Sequence, residues 1–90
     1  MSSAFVQTEP TRFTLVSRSY CHLCDDMLSD LRALLEPEVA EVVVVDVDSD
    51  PALLRQFDEL VPVLLDAAGQ ELCHYHLDTA KVLQYVGRFG

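Results

Sequence analysis

The stretch FTLVSRSYCHLCDDMLSDLRALLEP, residues 13–37, decides the fold. Its first five residues form a short β-rich run, which predicts a strand over 13–17. Arg18, Ser19 and Tyr20 make a loop. From Cys21 the period changes. Leu23, Met27, Leu28, Leu31, Leu34 and Leu35 recur at helical spacing and define one apolar face. Pro37 ends that helix, because the residue before a proline avoids helical geometry. Two cysteines, Cys21 and Cys24, therefore sit where a strand turns into a helix. A sulfur at a helix start lies near unsatisfied N–H groups and the positive end of the dipole, and both favour thiolate. The thiolate is the nucleophile of disulfide exchange. By the same geometry Cys21 is the exposed, attacking thiol and Cys24, one turn in, the more buried resolving thiol. His22 reads as a surface residue. Asp25 and Asp26 suit the helix dipole but oppose thiolate formation electrostatically.

Outward from this segment the elements alternate. Residues 41–46 hold four consecutive valines between acids, a pattern expected of a strand buried on both faces of a parallel sheet. Asp46, Asp48 and Asp50 alternate in a turn. Asp50 caps a second helix that has Pro51 at its first position and Leu53, Leu54 and Phe57 on its apolar face. Residues 61–65 and 71–76 read as two strands joined by the hairpin connection 66–70. Asp78 caps a last helix. Leu77 and Val82 are placed as a hydrophobic staple, and Val82, Leu83, Val86 and Phe89 form the packing face. The order is β-α-β-α-β-β-α. Residues 1–11 are polar and read as a flexible arm, leaving 12–90 as a single domain.

Ninety residues with fifteen acids and six bases carry a net charge of −9. Such a surface argues against nucleic acid and anionic membranes as partners and permits a basic protein partner. No apolar run reaches membrane-spanning length. Residues 1–12 lack a basic region followed by an apolar core, so the cytoplasm is the expected compartment. Three cysteines do not build a disulfide scaffold, and a close pair with a distant third is the arithmetic of a redox or metal pair plus a spare thiol. On a strand, Cys73 points opposite to His74 and His76, and no second Cys-x-x-Cys completes a zinc site. No metal is expected, and Cys73 reads as a core or edge thiol.

With its cysteine pair after the first strand, this order resembles the thioredoxin fold at its minimal, glutaredoxin-like size: an α/β domain with a four-stranded mixed sheet. The resemblance covers nearly the whole chain. The chain is similar to small glutaredoxin-like proteins that join a Cys-His-Leu-Cys-like motif with an Asp-x-Asp run and Val-Pro. The resemblance implies that Arg18, three positions before Cys21, stabilises the thiolate or holds a substrate carboxylate. It implies a cis bond between Val61 and Pro62, facing the pair, with the Val61 backbone open to substrate. Tyr20 joins this substrate-binding set. Glutaredoxins usually carry a Gly-Gly turn after the fourth strand that helps bind glutathione. Here Tyr75-His76-Leu77-Asp78-Thr79 stands instead, leaving Asp78 and Thr79 to donate from a helix start. Glutathione is therefore expected to be a poor reductant or ligand.

The resulting expectation is a monomeric thiol–disulfide oxidoreductase acting on a protein or small-molecule disulfide, recharged by an upstream thiol reductant and needing no resident cofactor. A non-catalytic thioredoxin-fold adaptor is the main alternative. A metal or iron–sulfur carrier is the third.

Overall fold

The structure is a computed structural model that describes residues 10–87. β1 spans Thr11–Ser17, α1 His22–Leu34, β2 Ala40–Asp46, α2 Pro51–Phe57, β3 Val63–Leu65, β4 Glu71–His74 and α3 Thr79–Gly87; a single 3-10 turn, Val47–Ser49, joins β2 to α2. The four strands form one sheet in the order β2-β1-β3-β4. β2 runs parallel to β1, whereas β1–β3 and β3–β4 are antiparallel. This mixed sheet with three helices is the thioredoxin-like architecture expected from the element order.

Alternation along the strands sends side chains into two cores. One contains Phe13, Leu15 and Leu64 from the strands, Met27 and Leu31 from α1, and Val82 and Tyr85 from α3. The other contains Val16, Val63 and Leu65 from the strands, Val47 from the 3-10 turn and Phe57 from α2. Each fully buried aliphatic or aromatic side chain contributes about 1.5–3 kcal/mol relative to exposure. A single-residue slip of β1 would exchange its contributions to the two cores, so the register is strongly specified.

Several local expectations hold. Asp50 Oδ1 accepts the Ala52 N–H at 2.8 Å and Pro51 opens α2. Asp66 N–H donates to Gln70 O across the hairpin, and Gly69 adopts φ 85° in its turn. Leu77 packs against the core that holds the fully buried Val82.

Others are corrected. β2 is not buried on both faces. It is one of the sheet's two outer strands, and Val43 and Val44 are each 47% exposed. The doubly buried strands are β1 and β3, which lie inside the sheet. Leu23 and Leu83 are exposed, and Leu54 sits at the boundary of exposure, so each apolar helix face is narrower than its sequence period suggests. β3 begins at Val63, after Pro62, which has no N–H for a ladder. β4 ends at His74 because Tyr75 turns to φ 65°. Thr11, assigned to the arm, is the first residue of β1. The rest of that arm up to residue 9, and Phe89, lie outside the described residues.

Candidate redox site

Sheet register gathers the site. Val16 pairs with Val63, and Val63 with His74. The chain leaving β1 toward Cys21, the chain entering β3 through Val61 and Pro62, and the chain leaving β4 toward Asp78 therefore meet at one end of the sheet.

Cys21 is the N-cap of α1, with an extended backbone (φ −104°, ψ 106°). Its Sγ accepts the Cys24 N–H at 3.2 Å, and its carbonyl accepts the Asp25 N–H at 3.1 Å. Ser, Thr, Asp and Asn usually fill this position, so a sulfur here takes over a helix-start N–H that nothing else satisfies. The two cysteine Cα atoms are 5.2 Å apart and the sulfurs are bonded, a separation typical of disulfides. Cys21 is half-buried, whereas Cys24 is 1% exposed within the protein. The ranking of accessibility is the one expected from their positions in the helix. His22 is almost fully exposed, 4.0 Å from Asp26.

Tyr20, directly before the pair, is fully exposed and adopts φ 59°. For a non-glycine residue the left-handed region costs about 1–2 kcal/mol. Tyr75 is the second such residue, at φ 65°. Its N–H donates to Pro62 O at 2.9 Å and its hydroxyl donates to Glu59 O at 2.7 Å. Tyr75 thus braces both sides of Val61. Val61–Pro62 is a cis peptide, as the resemblance implied. Among the described residues, Val61 itself makes no backbone hydrogen bond.

Arg18 is engaged by two carboxylates. Its Nε and Nη2 donate to the two carboxylate oxygens of Asp48 at 3.0 and 3.1 Å, a bidentate fork. Nη2 also donates to the Asp58 carboxylate, and Nη1 to Asp58 O at 3.3 Å. The guanidinium ties the loop before Cys21 to the 3-10 turn and to the end of α2. The hydrogen bonds from Arg18 hold the Asp48 carboxyl below its ordinary range, against a smaller opposing effect of desolvation. Asp78 Oδ1 accepts the Lys81 N–H at 3.1 Å and Asp78 O accepts the Val82 N–H, so this side chain caps α3; Thr79 is exposed beside it.

Three participants escaped the sequence reading. In the sequence Asp48 signals only a turn. Asp58 carries no local signal, because its partner is forty positions away. Tyr75 continues the strand pattern of 71–76 in the sequence. Cys73 is buried opposite Leu64, and that burial pushes its thiol up. His74 instead faces outward and contacts Glu71 at 2.6 Å. Among the described residues, no group of three or more His, Cys, Asp or Glu is placed to hold a metal ion. No helix among them is long and apolar enough to cross a membrane.

The family model described as Glutaredoxin-like domain (DUF836) matches residues 12–87. The chain belongs to this glutaredoxin-like family. Two solved structures agree with the assignment. A solution NMR structure of a protein from Nitrosomonas europaea is 35% identical, with a TM-score of 0.79, over 91% of this chain and 98% of that one. An X-ray structure of a protein from X. campestris is 30% identical, with a TM-score of 0.65, over 84% of this chain and 96% of that one. Comparison with curated proteins finds no match. A glutaredoxin-like domain with a cysteine pair close enough to bond is a thiol-redox type of module.

Proposed function

We propose that this glutaredoxin-like domain is a cytoplasmic thiol–disulfide oxidoreductase working by dithiol exchange. The observation that carries the reading is the cap: Cys21 Sγ lies on the Cys24 N–H at the start of α1, more accessible than Cys24. A thiolate at Cys21 gains that hydrogen bond in charge-assisted form, together with the helix dipole. It attacks one sulfur of a substrate disulfide. A Cys21–substrate bond forms, the substrate S–S bond breaks, and the leaving thiolate takes a proton. Cys24, deprotonated, then attacks Cys21 Sγ and expels the second substrate thiolate, which is protonated in turn. Two electrons have passed to the substrate, and the Cys21–Cys24 disulfide remains. An external thiol reductant restores the pair.

The substrate chain lies along Val61, whose N–H and C=O offer one rung of strand pairing. Asp78, by contrast, is occupied as a cap and Arg18 by two carboxylates. Neither supplies an obvious anchor for glutathione, which supports a poor glutathione-linked activity. The test is a trapping experiment. Cys24→Ser should accumulate a mixed disulfide on Cys21 when a disulfide substrate is added, seen by intact mass and peptide mapping, whereas the unaltered protein should release reduced substrate. A pair that neither forms the adduct nor oxidises on substrate addition would leave the adaptor reading in its place.

A further inference from the structure

The loop before Cys21 carries one cation, Arg18, and two carboxylates hold it. Arg18 is held by Asp48 and Asp58 through four hydrogen bonds, and one guanidinium against two carboxylates leaves the trio net negative. Around it the redox end is acidic. Asp25 stands in the first turn of α1 with Asp26 directly after it, and Glu59 lies two residues before Val61, all exposed. Lys81, in the first turn of α3, is a further cation on the chain leaving β4, and these acids outnumber it. The same segments also carry apolar side chains that face water. Tyr20 is fully exposed, Tyr75 42% and Leu23 38%. Among the described residues, the Val61 backbone has no partner.

These observations describe a surface with three demands. It offers a rung of strand pairing, it offers exposed apolar contact beside the attacking sulfur, and it repels anions. We infer that the substrate is a disulfide carried by a cationic, extended polypeptide segment, rather than a small anionic disulfide. The inference rests on the dithiol-exchange reading and specifies its substrate. Basic side chains flanking the substrate cysteine lie over Asp25, Asp26 and Glu59 while its backbone pairs with Val61. The electron balance is that of the exchange above, with a dithiol reductant returning the pair to its reduced state. Opposite charge across such a surface acts mainly on the encounter rate, with gains of about 10-fold and upward at low salt.

The experiment uses the full chain, reduced with a dithiol and freed of it. Three peptides carry the same disulfide, flanked by lysine, glutamine or glutamate. Formation of the Cys21–Cys24 disulfide is followed by stopped acid quench and mass. The expected order is lysine, then glutamine, then glutamate, with about a 10-fold or larger spread at low ionic strength. The spread should shrink as salt screens the surface. Asp26→Asn with Glu59→Gln should narrow it. Asp48→Asn with Asp58→Asn should release Arg18 and raise the rate with the glutamate peptide, a gain that a damaged fold cannot mimic. Equal rates for the three peptides, or a glutamate peptide that reacts first, would overturn the inference and leave dithiol exchange standing. If none of the three oxidises the pair, the exchange reading fails and the inference falls with it.

Discussion

Helices α1 and α3 start at the same end of the sheet, and each is capped by the side chain of the residue before it. At α3 the acceptor is a carboxylate, Asp78 Oδ1, 3.1 Å from the Lys81 nitrogen. At α1 it is a sulfur, Cys21 Sγ, 3.2 Å from the Cys24 nitrogen. The geometry is nearly the same, but the chemistry differs. A carboxylate cap is a fixed support. A sulfur is a weak acceptor as thiol or disulfide and a stronger one as thiolate. The strength of the α1 cap therefore follows the state of the sulfur. By reciprocity, the same N–H that closes the helix favours the reactive form of Cys21.

The largest expected effect separates the two caps outright. Cys21→Ser keeps a good capping oxygen and removes the nucleophile, so the protein should fold while disulfide exchange falls to background. Asp78→Asn keeps the α3 cap and should leave the exchange rate within about a factor of two, since Asn caps as well as Asp. Paired measurements of circular dichroism and exchange rate check both. An active Cys21→Ser variant would mean that the cap is only a cap.

A smaller effect sets Cys21 against the buried third thiol. In the reduced protein at neutral pH, iodoacetamide should label Cys21 at least about 100-fold faster than Cys73, because thiolate character and access both differ. Peptide mapping over time reads the ratio, which should collapse in urea. Preferential labelling of Cys73 in the native state would break the assignment.

The smallest effect concerns the tie behind the thiol cap. Arg18 holds Asp48 below the ordinary aspartate range in the folded protein. The unfolded chain therefore takes up that proton at a higher pH than the folded one. The contribution is complete above the ordinary range, about pH 4, and is lost as pH falls through the lowered folded value. Urea midpoints measured from pH 6 downward should decline less steeply in Asp48→Asn than in the unaltered protein. The difference should be slight, because the pair is exposed.

Much of this was legible in the residues because it rests on local rules. The change from β to helical period at Cys21, Pro51 after Asp50, and Asp78 before α3 are statements about neighbours in the chain, and the structure repeats them. What was not legible depends on partners distant in sequence. A run of four valines looks the same in a central strand as in an outer one, and only the sheet order shows that Val43 and Val44 lack cover. Arg18, three positions before Cys21, gives no local sign that Asp58, forty residues on, is folded against it. Tyr75 continues an alternating pattern, and nothing in its neighbours announces that it turns back to brace Pro62.

The outer position of β2 has a consequence for the protein in concentrated solution. Among the described residues no strand pairs with the outer edge of β2, which leaves backbone groups open to another strand, and Val43 and Val44 add apolar surface beside them. Glu41 and Asp46 fringe that edge, and the net charge of −9 keeps copies apart at neutral pH. That protection is colloidal rather than structural. As acidification discharges the carboxylates, mutual repulsion fades while the edge remains, so self-association should begin while the domain is still folded, and a lysine placed within β2 should postpone it.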